Sequence, residues 1–218
     1  MDEILKNAPL SAIDKPAELF LYLLALHRKA RKKICVAEIG IGVGATTKEI
    51  MALLSADDAL YIFDYEKTID DFLRSIDRNA IKPAFHPLGN SDLIYDSYAW
   101  PLAKLALKTR EDPEADGLFD LVYLDGAHTL LHDAAACAIV KTLMRPGGFI
   151  LFDDMTWRIS HSPTRNPAVR PESLGEYTQE QRDSAQVAMV VDILMRTDPG
   201  FEEIESPTWR QSLFRKKI

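Results

Sequence analysis

The segment Val36-Ala37-Glu38-Ile39-Gly40-Ile41-Gly42-Val43-Gly44-Ala45-Thr46-Thr47 is typical of a buried strand that ends in a glycine turn and opens a helix. Glycine suits such a turn because the backbone takes unusual dihedral angles and a ligand approaches it closely. The spacing is GxGxG, where dinucleotide-binding proteins have GxGxxG, and Glu38 stands two residues before the first glycine. An acid beside the turn repels a pyrophosphate and attracts an ammonium or sulfonium group. The turn therefore favours a cationic cofactor without phosphate.

Short apolar runs alternate with longer helical patterns on both sides of this turn. A helical pattern leads from Pro16 to about Lys33, and seven strand-like runs follow: ICVAEI, ALYIFD, KPAFHPL, LFDLVYLD, GFILFDD, FEEIESP and QSLFRKK. Most of these strands are apolar almost throughout, as expected when helices cover both faces of a sheet. We predict an α/β fold with a doubly wound, mainly parallel, seven-stranded sheet in one domain over residues 34–218. Residues 1–33 are expected to form an N-terminal helical extension.

Composition and charge exclude several classes of protein. The 218 residues are 47% hydrophobic and 27% charged, which is typical of a soluble globular domain. The first residues, MDEILKNAPLSAIDK, lack the pattern of a signal peptide, and Cys35 and Cys137 each lie among apolar neighbours, which indicates buried thiols in a reducing compartment. A net charge of -7 argues against a nucleic-acid partner. We predict a cytoplasmic protein with a small-molecule substrate and no membrane or nucleic-acid partner; self-association stays open.

Residues 157–180 interrupt the alternation of strands and helices. The segment is long, contains Pro163, Pro167 and Pro171, and begins directly after a pair of acids. Long loops of this kind are often lids or binding loops, so we favour a substrate lid over a plain surface loop. Its arginines, Arg158, Arg165 and Arg170, are candidates for contacts with an acidic substrate.

The glycine turn resembles motif I of class I S-adenosylmethionine-dependent methyltransferases, whose sequence is ExGxGxG. The resemblance implies that Glu38, Gly40, Gly42 and Gly44 bind the methionine part of S-adenosylmethionine. Asp64 ends the next strand, and an acid there can accept hydrogen bonds from both ribose hydroxyls, with Glu66 as a weaker alternative. Further cofactor contacts are implied for Asn90 and Ser91, whose turn resembles the GDS turn of the family, and for Asp125.

A second group of acids follows the fourth and fifth strands. Asp125 begins Asp125-Gly126-Ala127-His128, and Asp153 and Asp154 come 28 and 29 residues after it. If these strands are adjacent and parallel, the three carboxylates meet at one rim of the sheet, where they repel one another unless a cation lies between them. Oxygen ligands without cysteine suit Mg²⁺ first, then Ca²⁺ or Mn²⁺. We predict a metal site made by Asp125, Asp153 and Asp154.

The DGxH and DD pair resembles metal-dependent O-methyltransferases, both the catechol type and the macrocin O-methyltransferase type that modifies sugars of natural products. His128 stands where the catechol type has a lysine, which favours the second group and implies that His128 is the catalytic base. The sequence thus predicts a Mg²⁺-assisted O-methyltransferase of small molecules. Two alternatives stay open, a Rossmann-type NAD-dependent oxidoreductase and a non-catalytic module that binds S-adenosylmethionine. Some relatives with this acid cluster are linked to hydroxylation, which leaves that chemistry open as a further alternative.

Overall fold

A computed structural model describes residues 17–218 of the chain. The predicted extension therefore lies in part outside the described residues. The helices are α1 (Glu18–Ala30), α2 (Ala45–Leu53), α3 (Glu66–Arg74), α4 (Ala99–Thr109), α5 (Leu130–Leu143), α6 (Ser173–Glu176), α7 (Gln179–Asp183) and α8 (Gln186–Val190). A π-helical turn, Val191–Met195, continues α8, and two 3₁₀ turns span Arg78–Ala80 and Ile159–His161. The strands are β1 (Cys35–Ile39), β2 (Ala59–Tyr65), β3 (Ala84–Asn90), β4 (Phe119–Leu124), β5 (Met144–Phe152), β6 (Phe201–Ile204) and β7 (Ser212–Lys216).

The strands form one sheet in the order β3-β2-β1-β4-β5-β7-β6. The first five strands of that order pair in parallel, whereas β7 is antiparallel to both β5 and β6. The predicted doubly wound, mainly parallel, seven-stranded α/β sheet is confirmed. Strand order reverses between β1 and β4, and in sheets of this kind ligands bind outside the carboxyl ends of the strands at that point.

Helices cover both faces of the sheet, as the apolar strands require. One face packs against α1, α2 and α3, and Leu19, Phe20, Leu23 and Leu24 of α1 are fully buried there. The other face packs against α4, α5 and α8, with Cys137 and Val140 of α5 at its centre. Consecutive residues of β1 contribute to opposite faces, since Val36 belongs to the first cluster and Ala37 to the second. Because both faces of the sheet are buried, the strand ends that carry the acids are held in fixed positions.

The sequence reading missed or simplified several helices. Helix α4 has no counterpart among the predicted elements; its Pro101 lies in the first turn, where the missing N–H of proline costs nothing. The sequence pattern predicts one helix from about Gln181 to Thr197, and the structure divides this region at Ser184 and Ala185. Segment 157–180 contains α6, the first residues of α7 and a 3₁₀ turn. Within residues 17–218, no helix is long and apolar enough to cross a membrane.

Candidate active site

The glycine turn between β1 and α2 takes the left-handed backbone conformation that its sequence predicts. The φ angles are 84° at Gly40, 51° at Gly42 and 74° at Gly44. A Cβ atom on Gly40 would overlap the carbonyl oxygen of Asp125 at the end of β4. Glycine at position 40 is thus required twice, by its dihedral angle and by the close approach of the neighbouring strand.

Asp64, at the end of β2, holds the glycine turn in place. Its Oδ2 accepts hydrogen bonds from the backbone N–H groups of Ile41, at 2.8 Å, and Gly42, at 3.1 Å. Its Oδ1 accepts a third from the N–H of Tyr65 at 2.7 Å. The carboxylate is therefore already oriented toward the turn, and its position at the strand end is the one predicted for the ribose-binding acid.

A cavity of about 370 Å³ lies beyond the ends of β1, β2 and β4, and we call it the strand-end cavity. Its lining includes seven of the residues that the sequence nominated: Glu38, Gly40, Gly42, Asp64, Asn90, Asp125 and His128. Gly44 and Ser91 are not among its lining residues. Instead, both the N–H and the hydroxyl of Ser91 donate to Oδ2 of Asp96, at 2.8 and 2.7 Å. The structure thus gathers most of the nominated cofactor-binding residues around one space.

Two of these lining residues have buried polar atoms without a partner. Glu38 is only 1% exposed, and its Oε2 has no hydrogen-bond partner among residues 17–218. Oδ1 of Asn90 is likewise buried without a hydrogen-bond partner among these residues. Burial raises the pKa of Glu38 to about 8. Unpaired buried polar atoms are costly, so a bound group that reaches them would be stabilised.

The acids after β4 and β5 form a compact cluster with the histidine. One ligand atom each from Asp125, His128 and Asp154 lie within 4.8 Å of one another, and we call these three residues the acid group. Nε2 of His128 is 3.0 Å from Oδ1 of Asp125 and 3.5 Å from Oδ2 of Asp154. The carboxylate oxygens of the two acids and the imidazole nitrogen are thus candidate ligand atoms for a cation.

Charge and burial perturb all three members of the acid group. Burial raises the pKa of Asp125 and of Asp154 above the usual value of a carboxyl group. The charges of Asp153 and Asp64 also raise the pKa of Asp125, and the charge of Asp125 also raises the pKa of Asp154. Burial lowers the pKa of His128, but the hydrogen bond and charge of Asp125, with the charge of Asp154, outweigh it, so the pKa of His128 is raised. A cluster of this kind favours a positive charge at its centre.

Asp153 does not join the acid group, although the sequence nominated it as a metal ligand. The residue is 2% exposed, and its Oδ2 accepts a hydrogen bond from the Tyr123 hydroxyl. Its Oδ1 accepts from the N–H of Asp154 at 2.8 Å and from Nε2 of Gln211 at 3.2 Å. Both oxygens therefore accept from protein donors, and the residue, unlike Asp64, does not line the strand-end cavity. Strand β5 ends at Phe152 and the backbone turns into the left-handed region at Asp154, whose φ is 55°, so the two neighbouring carboxylates have different surroundings.

A buried pair that the sequence reading did not identify supports the loop that carries His128. The Tyr98 hydroxyl donates to Oδ1 of Asp133 and accepts from the N–H of Ala127 at 2.8 Å. A Cβ atom on Gly126 would collide with this hydroxyl. Tyr98 and Asp133 are 35 residues apart and neither lies in a recognisable motif, so sequence spacing gave no signal for the pair.

A larger cavity of about 1440 Å³ adjoins the first and is here called the outer cavity. Residues of segment 157–180 form part of its wall, including Thr164, Arg165, Glu176 and Tyr177. The loop after β3, the start of α5 and residues of α7 and α8 form most of the rest. The two cavities share four lining residues and meet next to His128: Ala127, Arg165, His132 and Tyr65.

Known proteins resemble this chain in sequence and in fold. Over 161 residues it is 29% identical to the non-reducing polyketide synthase nvfA of Aspergillus novofumigatus, a match that covers 72% of this chain and only 6% of that synthase. The O-methyltransferase TomG of Streptomyces achromogenes, solved with SAM, aligns over 92% of this chain and 80% of its own with 16% identity and a TM-score of 0.54. An O-methyltransferase of Bacillus cereus, solved with SAH, aligns over 99% and 88% with 17% identity and a TM-score of 0.54.

A family model described as a methyltransferase domain matches residues 37–155. The match begins in β1, two residues from the start of that strand, and ends just after Asp154. It therefore includes the glycine turn, Asp64 and the whole acid group, and it spans more than half of the chain. The chain accordingly belongs to the methyltransferase domain family.

Proposed function

We propose that this methyltransferase transfers a methyl group from S-adenosylmethionine to a hydroxyl of a small molecule, with assistance from a divalent cation. The observation that carries the proposal is that Asp125 and His128 belong both to the acid group and to the wall of the strand-end cavity. A methyl donor in that cavity and a hydroxyl at the acid group would be neighbours. Both TomG and the Bacillus cereus enzyme are O-methyltransferases solved with SAM or SAH, which supports the same cofactor and acceptor atom here.

The strand-end cavity suits S-adenosylmethionine on chemical grounds. Asp64 presents a carboxylate at the end of β2, where it would accept hydrogen bonds from the ribose hydroxyls. Glu38 and Asn90 have unpaired buried oxygens that an ammonium group or an N–H donor would satisfy. Family membership also favours methyl transfer over hydride transfer to a nicotinamide, the alternative that the glycine turn alone leaves open.

The acid group fits a hard divalent cation. It offers two carboxylates and one imidazole within 4.8 Å, and the pKa values of both carboxylates are raised by burial, a cost that a cation would offset. We propose Asp125 and Asp154 as its ligands, with Mg²⁺ first among the candidates. When bound, such a cation would lower the pKa of an acceptor hydroxyl nearby.

His128 is proposed to take the proton of the acceptor hydroxyl. Its hydrogen bond to Asp125 orients the imidazole, and its raised pKa allows it to hold a proton once it has accepted one. The acceptor oxygen then forms the new bond to the methyl carbon as the bond from sulfur to that carbon breaks. The products are the methylated acceptor and S-adenosylhomocysteine, and the proton leaves later from His128 to water.

The proposal is tested by comparing two neighbouring acids with and without metal. Chelation should stop methyl transfer by the native enzyme, and Mg²⁺ should restore it. Asp154→Asn should weaken Mg²⁺ binding measured by equilibrium dialysis, because it removes one of two anionic ligands. Asp153→Asn is the matched control and should bind Mg²⁺ as the native protein does, since protein donors occupy both of its oxygens. Full methyl transfer in excess chelator would remove the cation from the proposal.

A further inference from the structure

The outer cavity has an unusual distribution of charge and apolar surface. Its walls carry four acids, Asp92, Asp96, Glu176 and Glu180, and two arginines, Arg165 and Arg170. Leu93, Ile94 and Tyr95 also line it and are 71%, 80% and 95% exposed. An apolar molecule that entered this cavity would cover these side chains, and the acids would disfavour an anion that carries more than one negative charge.

Arg165 is placed between the outer cavity and the acid group. Its Nη1 donates to the carbonyl oxygen of Ala127, the residue before His128, at 2.6 Å. Its guanidinium lies 5.7 Å from the ring centre of Trp157, and that ring lies 5.0 Å from the imidazole of His128. Arg165 is therefore tied to the backbone just before the proposed catalytic base, and it lines both cavities.

The charge of Arg165 is not neutralised by the described part of the chain. Arg165 forms no ion pair with any carboxylate of residues 17–218. By contrast, Arg170 donates two hydrogen bonds to Glu176, at 2.6 and 2.5 Å. A half-buried arginine with one backbone acceptor keeps several N–H donors in a planar fork, which is the geometry that carboxylates match.

From this geometry we infer that the acceptor is an amphipathic hydroxy acid whose carboxylate binds Arg165 while its apolar body lies against Leu93, Ile94 and Tyr95. The inference rests on the proposed function and names the substrate class of the same site. It makes Arg165 a specificity-determining residue, because the guanidinium would fix the acceptor with its hydroxyl toward His128. The other two arginines of the segment differ from Arg165. Arg158 lines neither cavity, and Arg170 is paired with Glu176.

A carboxylate fits this site better than a phosphate. Among the described residues, Arg165 is the one arginine in the wall of the outer cavity without an ion pair, because Arg170 pairs with Glu176. The acids of the wall that form no ion pair within residues 17–218 are Asp92, Asp96 and Glu180. A phosphate monoester carries nearly two negative charges at neutral pH and would be repelled more strongly than a singly charged carboxylate.

The test measures binding without turnover. Protein saturated with S-adenosylhomocysteine and Mg²⁺ is titrated calorimetrically with 4-hydroxycinnamate, its amide and its phosphate-bearing analogue, 4-hydroxyphenylethyl phosphate. The native protein should bind the acid about tenfold or more tightly than the amide, as expected for a hydrogen-bonded charge pair, and more tightly than the phosphate. Equal affinity for acid and amide, preference for the phosphate, or no binding of the acid would overturn the inference.

Three variants assign the effect to one side chain. Arg165→Gln should bind acid and amide equally, and Arg165→Lys should keep a smaller preference for the acid, because the charge remains and the fork is lost. Arg158→Gln removes the same charge from an exposed residue that lines neither cavity and should keep the native preference. An undiminished preference in Arg165→Gln would also overturn the inference. Since no methyl transfer is measured, failure of the proposed reaction would leave this result unaffected.

Discussion

The glycine turn and the acid group both need left-handed backbone at strand ends, yet they obtain it with different residues. Gly40, Gly42 and Gly44 have positive φ angles at little steric cost. His128 and Asp154 have φ angles of 56° and 55°, which cost about 1 kcal/mol or more in residues that carry a Cβ. The turn presents backbone to a ligand, so glycine suffices. The acid group presents side chains, and strain at those positions is retained because glycine would remove the chemistry.

The largest effect should follow from removing the imidazole of the acid group. His128→Ala should lower the rate of methyl transfer roughly 10²- to 10⁴-fold, the usual contribution of a placed general base. Binding of S-adenosylhomocysteine should change little, because the glycine turn and Asp64 remain. Single-turnover rates and calorimetric titration measure the two quantities separately. A variant with the native rate would show that the acid group binds without taking the proton.

The next largest effect should be a loss of stability when the glycine turn is altered. Gly40→Ala should lower the free energy of unfolding by about 2–4 kcal/mol, because the new Cβ meets the backbone of β4 and the residue keeps a positive φ. Gly42→Ala is the matched control, since nothing lies within 4 Å of its added Cβ, and it should cost about 1 kcal/mol. Denaturant unfolding of both variants gives the comparison. Equal losses would mean that the dihedral angle alone demands glycine at position 40.

The features of the fold and site that the sequence predicts are those that depend on short spacings along the chain. The apolar runs predict the strands of the sheet. Acids at the ends of strands, such as Asp64 and Asp125, lie at the carboxyl edge of the sheet, as parallel pairing requires. The nomination of Asp125, His128 and Asp154 came from the same logic, and the structure brings them together. Their roles in binding and catalysis remain predictions.

What the sequence did not predict depends on orientation and on distant partners. Asp153 and Asp154 are equivalent in a motif, but only the structure shows that Asp153 faces Tyr123. The Tyr98 and Asp133 pair joins two helices that are distant in sequence, and no local pattern marks it. Likewise, only the folded chain shows that Arg170 pairs with Glu176, whereas Arg165 forms no ion pair within the described residues.

A third prediction concerns the pH dependence that Glu38 gives to the glycine turn. Burial raises the pKa of Glu38 from its ordinary 4.5 to about 8, so between these values the folded state keeps a proton that the unfolded state has released. Stability should therefore fall as pH rises from 4.5 to about 8, with a slope approaching about 1.4 kcal/mol per pH unit from this group. Below 4.5 and above 8 the contribution should be flat.

Glu38→Gln isolates this contribution because the amide does not ionise. The difference in unfolding free energy between the native protein and the variant should shift in favour of the variant as pH rises from 5 to 8, measured by urea denaturation at each pH. Parallel stability curves for the two proteins would show that Glu38 is ionised in the folded state at pH 5. Ionisable groups that do not interact with Glu38 contribute equally to both curves and cancel.

The smallest effect bears directly on the contrast between glycine and non-glycine residues. At residue 128 the φ angle is 56°, so His128→Gly should be more stable than His128→Ala by about 1 kcal/mol, although both variants lose the imidazole. His132 supplies the control, because it lies in α5 and glycine there should be less stable than alanine by about 1 kcal/mol. The sign of the difference between glycine and alanine should thus reverse between two histidines four residues apart, measured by thermal and urea unfolding. If alanine were the more stable substitution at both positions, the left-handed backbone at His128 would not be strained, and the retained histidine would need no chemical explanation.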